Sequence, residues 1–244
     1  MAIEHPSFVE QPYQGPMMSV DSWQLAFYNA LPKTDSNPPK PPLIFAHGAR
    51  FNWDIWRKTG TLAALQSEGF RTIGIDLPPG GNFSETRTRG SAMSDPVAFF
   101  SAVSDRFRIE QSVGVFPSQS APDLGYPIVR RVPHLLAGAV FVAPIRVEVV
   151  VPSSGVPSLI VWGDQDTVAP PSNAEIASIG FTNSVIARID SGSSPQFNGH
   201  APYIDRNEEF NQLIAWFSQD PSSAATRIGE ISLQHTQVSL PAPR

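Results

Sequence analysis

The chain has 244 residues with 25 prolines, 17 glycines and no cysteine; charged residues make up 16% and hydrophobic ones 41%. The absence of cysteine excludes disulfides, thiolate zinc sites, iron–sulfur clusters and any cysteine nucleophile, and a chain of this length can bury a full core without such staples. Seventeen basic residues against 22 acidic ones, a net charge of −5, leave no electrostatic footprint for nucleic acid. No stretch reaches the run of about 18 apolar residues that a membrane span needs.

Residues 1–16 are rich in Pro and Gln, lack periodicity and carry none of the basic start or apolar run of a secretory leader, so they read as an arm. The segment 17–31 holds two short apolar patches suited to a hairpin, and TDSNPPKPP (34–42) is a proline-stiffened turn. PLIFAHG is a buried strand ending in Gly48. WDIWRKTGTLAALQSE (53–68) places Trp53, Trp56, Leu62 and Leu65 on one helical face, and Gly69 stops it. FRTIGIDL is a second buried strand, closed by Pro78-Pro79-Gly80-Gly81.

SDPVAFFSAVSDRF (94–107) begins with a Ser/Asp cap followed by Pro, which suits a helix start. SVGVF (112–116) is a short apolar run, with a helical segment following through Val132. LAGAVFVAPI (136–145) and VPSLIVWG (156–163) are further continuous apolar strands. AEIASIG reads as helix, SVIARID as strand, and NEEFNQLIAWF (207–217) as an amphipathic helix. Strands that are apolar at every position need both faces covered, which means a mostly parallel sheet between helix layers. The expectation is one α/β domain at 17–218, flanked by the arm and by a polar extension at 219–244.

In doubly wound sheets the reactive groups gather in loops at the carboxyl ends of the strands. Those loops hold His47-Gly48-Ala49-Arg50-Phe51, then Asp76, then Pro117-Ser118-Gln119-Ser120-Ala121, then Asp164-Gln165-Asp166, then Asn198-Gly199-His200. Ser, Asp and His therefore follow strands in the chain order of a Ser–Asp–His triad and share one rim. Serine is a weak nucleophile until a histidine takes its proton, and a buried carboxylate fixes the histidine tautomer. Asp164 and Asp166 compete for the third role. Of the other histidines, His5 and His235 lie in the tails, His134 precedes a strand, and His47 reads as a shaper of its own loop.

HGARFNWDIW, GIDLPPGG, PSQSA, VWGDQD and NGHAPYIDRNEEF together resemble the α/β-hydrolases, and within them the small branch typified by alpha/beta-hydrolase-domain-containing protein 14, the CIB-like proteins. The similarity runs from about Leu43 to Phe217. It implies an α/β-hydrolase fold in which Ser118 is the nucleophile, His200 the general base and Asp166 its orienting acid. It also implies an oxyanion hole from the N–H groups of Ala49 and Gln119. Arg50 and Phe51 join the substrate-binding residues, Arg50 as either a carboxylate contact or a salt-bridging loop residue.

The nucleophile turn departs from the family pattern. Small residues are expected two positions either side of the serine, and this chain has Phe116 and Ser120 there. Shifting the register makes Ser120 a second candidate nucleophile. The link RVEVVVPSSG, between two strands where many relatives insert a lid, is too short for a helical cap. A cap-less site suits small acyl groups or a substrate presented from solvent.

The function implied is a cofactor-independent, cytoplasmic serine hydrolase, free of metal, acting on a small-molecule ester, thioester or acyl-amide. No nucleic-acid or membrane partner is expected, and the oligomeric state stays open. Two other readings stand beside it: a non-hydrolytic or C–C-cleaving enzyme using His200 as base, and a ligand-binding protein on the same scaffold.

Overall fold

The structure, a computed structural model, describes residues 17–20, 23–34, 38–77, 95–147, 154–192, 195–226 and 230–233. The arm at 1–16, the Pro78–Gly81 turn and most of the C-terminal tail lie outside the described residues. Nine strands form one sheet in the order β1-β2-β4-β3-β5-β6-β7-β8-β9 among the described residues. They are β1 Met17–Val20, β2 Trp23–Ala30, β3 Leu43–Phe45, β4 Thr72–Ile75, β5 Ser112–Pro117, β6 Leu136–Val142, β7 Ser158–Gly163, β8 Ser184–Ile189 and β9 Glu230–Leu233. The hairpin β1–β2 and the pair β2–β4 are antiparallel, and every other pairing is parallel.

Helices cover both faces, and the strand residues sort between them with period two. Ile44, Phe116, Phe141 and Ile160 pack on one side with α3 (Pro96–Phe107), α4 (Tyr126–Arg131) and α5 (Asn173–Ile179). Phe45, Val115, Val142 and Val161 face α1 (Ile55–Lys58), α2 (Thr61–Ser67), α6 (Pro202–Asp205), α7 (Asn207–Gln219) and α8 (Pro221–Ala225). β3 to β7 are buried almost throughout, which is why their sequences show apolar runs rather than alternation. This is the doubly wound α/β arrangement that the apolar strands imply.

The start of α3 follows its sequence signal: the Asp95 carboxylate accepts from the N–H groups of Val97 and Ala98, with Pro96 in the first position. The single helix expected at 53–68 is instead two. Gly60 takes φ +76, breaking the run into α1 and α2 and letting both lie against the sheet.

Two elements lie beyond residue 218, in the segment read as a polar extension. α8 seats Pro221 directly on Gly138 of β6, where an added Cβ would stand 2.8 Å from the Pro221 Cβ. β9 adds a parallel strand beside β8. Among the described residues nothing forms a cap domain, and no helix is long and apolar enough to cross a membrane.

Candidate active site

β5 ends in a sharp turn. Ser118 adopts φ +51, a left-handed conformation rare for residues other than Gly. Its N–H donates to Val142 O at 2.8 Å, anchoring the turn to the neighbouring strand. A one-turn π-helix at Ala121–Gly125 then leads into α4. The loop after β3 lies beside this turn: the point where a Gly48 Cβ would begin is 3.6 Å from the Ser118 Cβ, ordinary contact distance.

His200 Nε2 lies 2.9 Å from Ser118 Oγ, and His200 Nδ1 lies 2.7 Å from Asp166 Oδ2. A carboxylate can only accept, so Nδ1 carries the proton that points at Asp166. In the neutral ring Nε2 is then the acceptor facing the serine hydroxyl. The Asp166 side chain is fully buried. Its second oxygen, Oδ1, accepts from the N–H groups of Val168 and Ala169 at 2.8 and 2.9 Å, so the carboxylate cannot rotate freely.

Two glycines let the aspartate and histidine loops meet. A Cβ on Gly163 would overlap the Gly199 carbonyl oxygen, and one on Gly199 would stand 2.7 Å from the Gln165 carbonyl carbon. Thr167 N–H also donates to Asn198 O across the junction. Phe197, Asn198 and Gly199 all take positive φ in succession, 49°, 56° and 74°. Non-Gly residues held there cost about 1–3 kcal/mol each, and such strain collects where side chains must be aimed.

The competing candidates sit elsewhere. Ser120 is fully buried and its hydroxyl donates to Pro117 O at 2.7 Å. Asp164 is exposed, and its N–H donates to Ile189 O, extending the β7–β8 ladder by one bond. His134 lies in the 3-10 turn before β6, at the opposite end of the sheet. His47 is buried; Leu77 N–H donates to its Nε2 at 3.1 Å, so its Nδ1 donates to Gly48 O at 2.9 Å. Asp76 is buried beside it and holds Trp53 N–H at 2.8 Å; desolvation pushes its carboxyl up to about 7.

The N–H groups of Ala49 and Gln119 donate to no described residue. The Gln119 amide donates to Asp123 Oδ1 at 2.6 Å, and Arg146 reaches the same oxygen at 3.0 Å, tying the turn to the loop after β6. Arg50 is exposed. Phe51 is half-buried, edge-on to Phe197 and Tyr203 with ring centroids 5.2 and 6.3 Å away. Asp123, Arg146 and Phe197 carry no sequence signal for this place; Tyr203 lies within NGHAPYIDRNEEF, whose resemblance to the family marks His200 alone. An open depression of about 450 Å³ is lined by Asp164, Gln165, Asp166, Thr167, Pro195 and Asn198, without Ser118 or His200.

No family model matches the chain. It is 30% identical over 207 residues to the human "Putative protein-lysine deacylase ABHD14B", covering 83% of this chain and 93% of that protein. It is 26% identical over 223 residues to "Protein ABHD14A" of Rattus norvegicus, covering 87% of each. Among solved structures, the "predicted CIB-like hydrolase" of Thermoplasma acidophilum superposes with a TM-score of 0.68 at 19% identity, over 84% of this chain and 96% of that one. The esterase EaEST of Exiguobacterium antarcticum gives 0.64 at 13% identity, over 84% and 99%.

Proposed function

Because the chain belongs to the ABHD14 family of α/β-hydrolase-domain proteins, we propose that it is a cofactor-independent serine hydrolase that opens an ester, thioester or acyl-amide bond through an acyl-enzyme on Ser118. The observation that carries this reading is the unbroken hydrogen-bond chain Ser118–His200–Asp166, at 2.9 and 2.7 Å.

Ser118 Oγ attacks the acyl carbonyl carbon while His200 Nε2 takes its proton, and Asp166 stabilises the imidazolium without being protonated itself. The oxyanion forms against the N–H groups of Ala49 and Gln119, which have no described acceptor to give up. Collapse of the tetrahedral intermediate breaks the bond to the leaving group, which receives the proton from His200. A water then gives its proton to His200 and its oxygen to the acyl carbon, and Ser118 is released with its proton restored.

The protein-lysine deacylase named among the relatives supports the acyl-amide class, an acylated lysine side chain in particular. The lack of a cap among the described residues fits a side chain presented from a protein surface.

A fluorophosphonate probe tests the reading, since it reacts only with an activated serine. Wild type and Ser120→Ala are expected to be labelled, and Ser118→Ala is not. Labelling that survives Ser118→Ala would sink the assignment.

A further inference from the structure

We propose that Tyr203 supplies a side-chain hydrogen-bond donor to the acyl carbonyl oxygen, beside the two backbone N–H groups. The proposal rests on the Ser118 hydrolase reading and adds to it a residue placed on α6, outside the triad and the oxyanion loops.

Tyr203 follows His200 by three residues and turns its ring into the aromatic cluster below the β3 loop. Its centroid lies 4.6 Å from Trp56, 5.8 Å from Phe210 and 6.3 Å from Phe51. Only 2% of the residue is exposed. A phenol this deep ordinarily finds a hydrogen-bond partner within the protein. Trp56 does so, donating to Ala46 O at 2.7 Å. No described residue pairs with the Tyr203 hydroxyl. The space beside this hydroxyl is open at Gly48, which has no side chain to fill it.

That space lies beside the nucleophile. The point where a Gly48 side chain would begin is 3.9 Å from the Tyr203 hydroxyl, 3.8 Å from Phe51 Cδ2 and 3.6 Å from Ser118 Cβ. Glycine leaves this gap open, and its walls are an aromatic edge, a phenol oxygen and the stem of the attacking serine. An acyl carbonyl bonded to Ser118 places its oxygen against the Gly48-Ala49 backbone, where the phenol faces it. Burial and the nearby Asp205 push the phenol above its ordinary range, so it stays protonated and able to donate.

The reaction gains charge on that oxygen only as the tetrahedral species forms, so a donor aimed there acts on the chemical step more than on binding. The test is the rate of Ser118 phosphonylation by a fluorophosphonate, whose phosphoryl oxygen gains negative charge in the place of the oxyanion as Oγ adds and fluoride leaves, in the full chain and in Tyr203→Phe. Steady-state hydrolysis of p-nitrophenyl acetate is measured alongside. Tyr203→Phe is expected to slow labelling by about ten-fold or more, with a matching fall in kcat and KM held within about two-fold. Tyr126→Phe is the control and leaves the rate unchanged; thermal unfolding checks that both variants fold. A labelling rate in Tyr203→Phe equal to wild type overturns the role of Tyr203 and leaves the Ser118 reading standing. Absence of Ser118 labelling in the wild type overturns both.

Discussion

The ring of Phe116 occupies the space that a side chain on Gly125 would need: a Cβ there would stand 2.8 Å from Phe116 Cγ. Gly114, two residues earlier on β5, yields in the same way, since a Cβ on it would overlap the far end of that ring. The ring packs between Phe100 and Phe141, with centroids 6.3 and 5.7 Å away. Where the family pattern expects a small residue two positions before Ser118, this chain has a large one and places glycines on the strand and in the turn above it.

That exchange makes the pair thermodynamically coupled. Phe116→Ala leaves a cavity and is expected to cost about 3–5 kcal/mol. Gly125→Ala overpacks the same space at a cost of about 1–3 kcal/mol. In urea unfolding, the double variant Phe116→Ala/Gly125→Ala should lose less than the two single losses added, because the new methyl enters the new cavity. Strict additivity would show that the two sites do not share space.

Asp166 and Asp164 are two residues apart but act in different places, and conservative amides should separate them. In Asp166→Asn the carbonyl oxygen can still accept from Val168 and Ala169 N–H, so the loop holds. The amide nitrogen then faces His200 Nδ1, and a donor there forces the proton onto Nε2, the wrong tautomer for taking one from Ser118. Turnover of p-nitrophenyl acetate should fall by about 10⁴-fold with little change in thermal midpoint. Asp164→Asn, at an exposed turn, should stay within about two-fold of wild type, as surface substitutions away from such features usually do.

The junction of the aspartate and histidine loops has no room for a methyl. Gly163→Ala would drive a Cβ into the Gly199 carbonyl, one residue before His200. Relief requires the histidine loop to move, and a shift of about 1 Å in a reacting group can cost about 10²-fold in rate. We expect Gly163→Ala to remain folded by circular dichroism and to label with fluorophosphonate at least ten-fold more slowly. Wild-type labelling would mean that the strained run Phe197–Gly199 relaxes without moving His200.

The meeting of Ser118, Asp166 and His200 on one rim was legible because it depends on two simple facts. Apolar runs such as LIVWG mark buried parallel strands, and polar residues just after them fall on one rim. The helix break at Gly60 was not, since the Trp and Leu spacing stays helical across it and only backbone geometry shows the left-handed turn. β9 was missed because EISL is short and lies in a polar stretch; its place is set by pairing with β8. Phe116 read as a misfit because the pattern counts residues along the turn, whereas Gly125 lies nine positions away and meets it only in space. The Asp123–Arg146 ion pair across 23 residues is invisible for the same reason.

Asp76 makes stability itself depend on pH. Its carboxyl is fully buried, with one oxygen on Trp53 N–H and the other without a partner among the described residues. Burial raises it from the usual carboxylate range to about 7, with Asp54 adding a smaller push and the Trp53 N–H opposing. His47 Nε2 lies 3.8 Å away and already accepts from Leu77, so it offers no positive charge in that tautomer. The folded chain therefore binds this proton between about pH 4 and 7 where the unfolded chain has released it. The resulting stability is fully present below about pH 4 and is lost as pH rises through about 7. Three pH units correspond to on the order of 4 kcal/mol. Asp205, raised to about 6 by burial, pulls in the same direction and is present in both proteins compared. Urea midpoints at pH 5, 6, 7 and 8 should fall more steeply for wild type than for Asp76→Asn, which has no proton to lose. Parallel curves would show that Asp76 is ionised in the folded protein throughout.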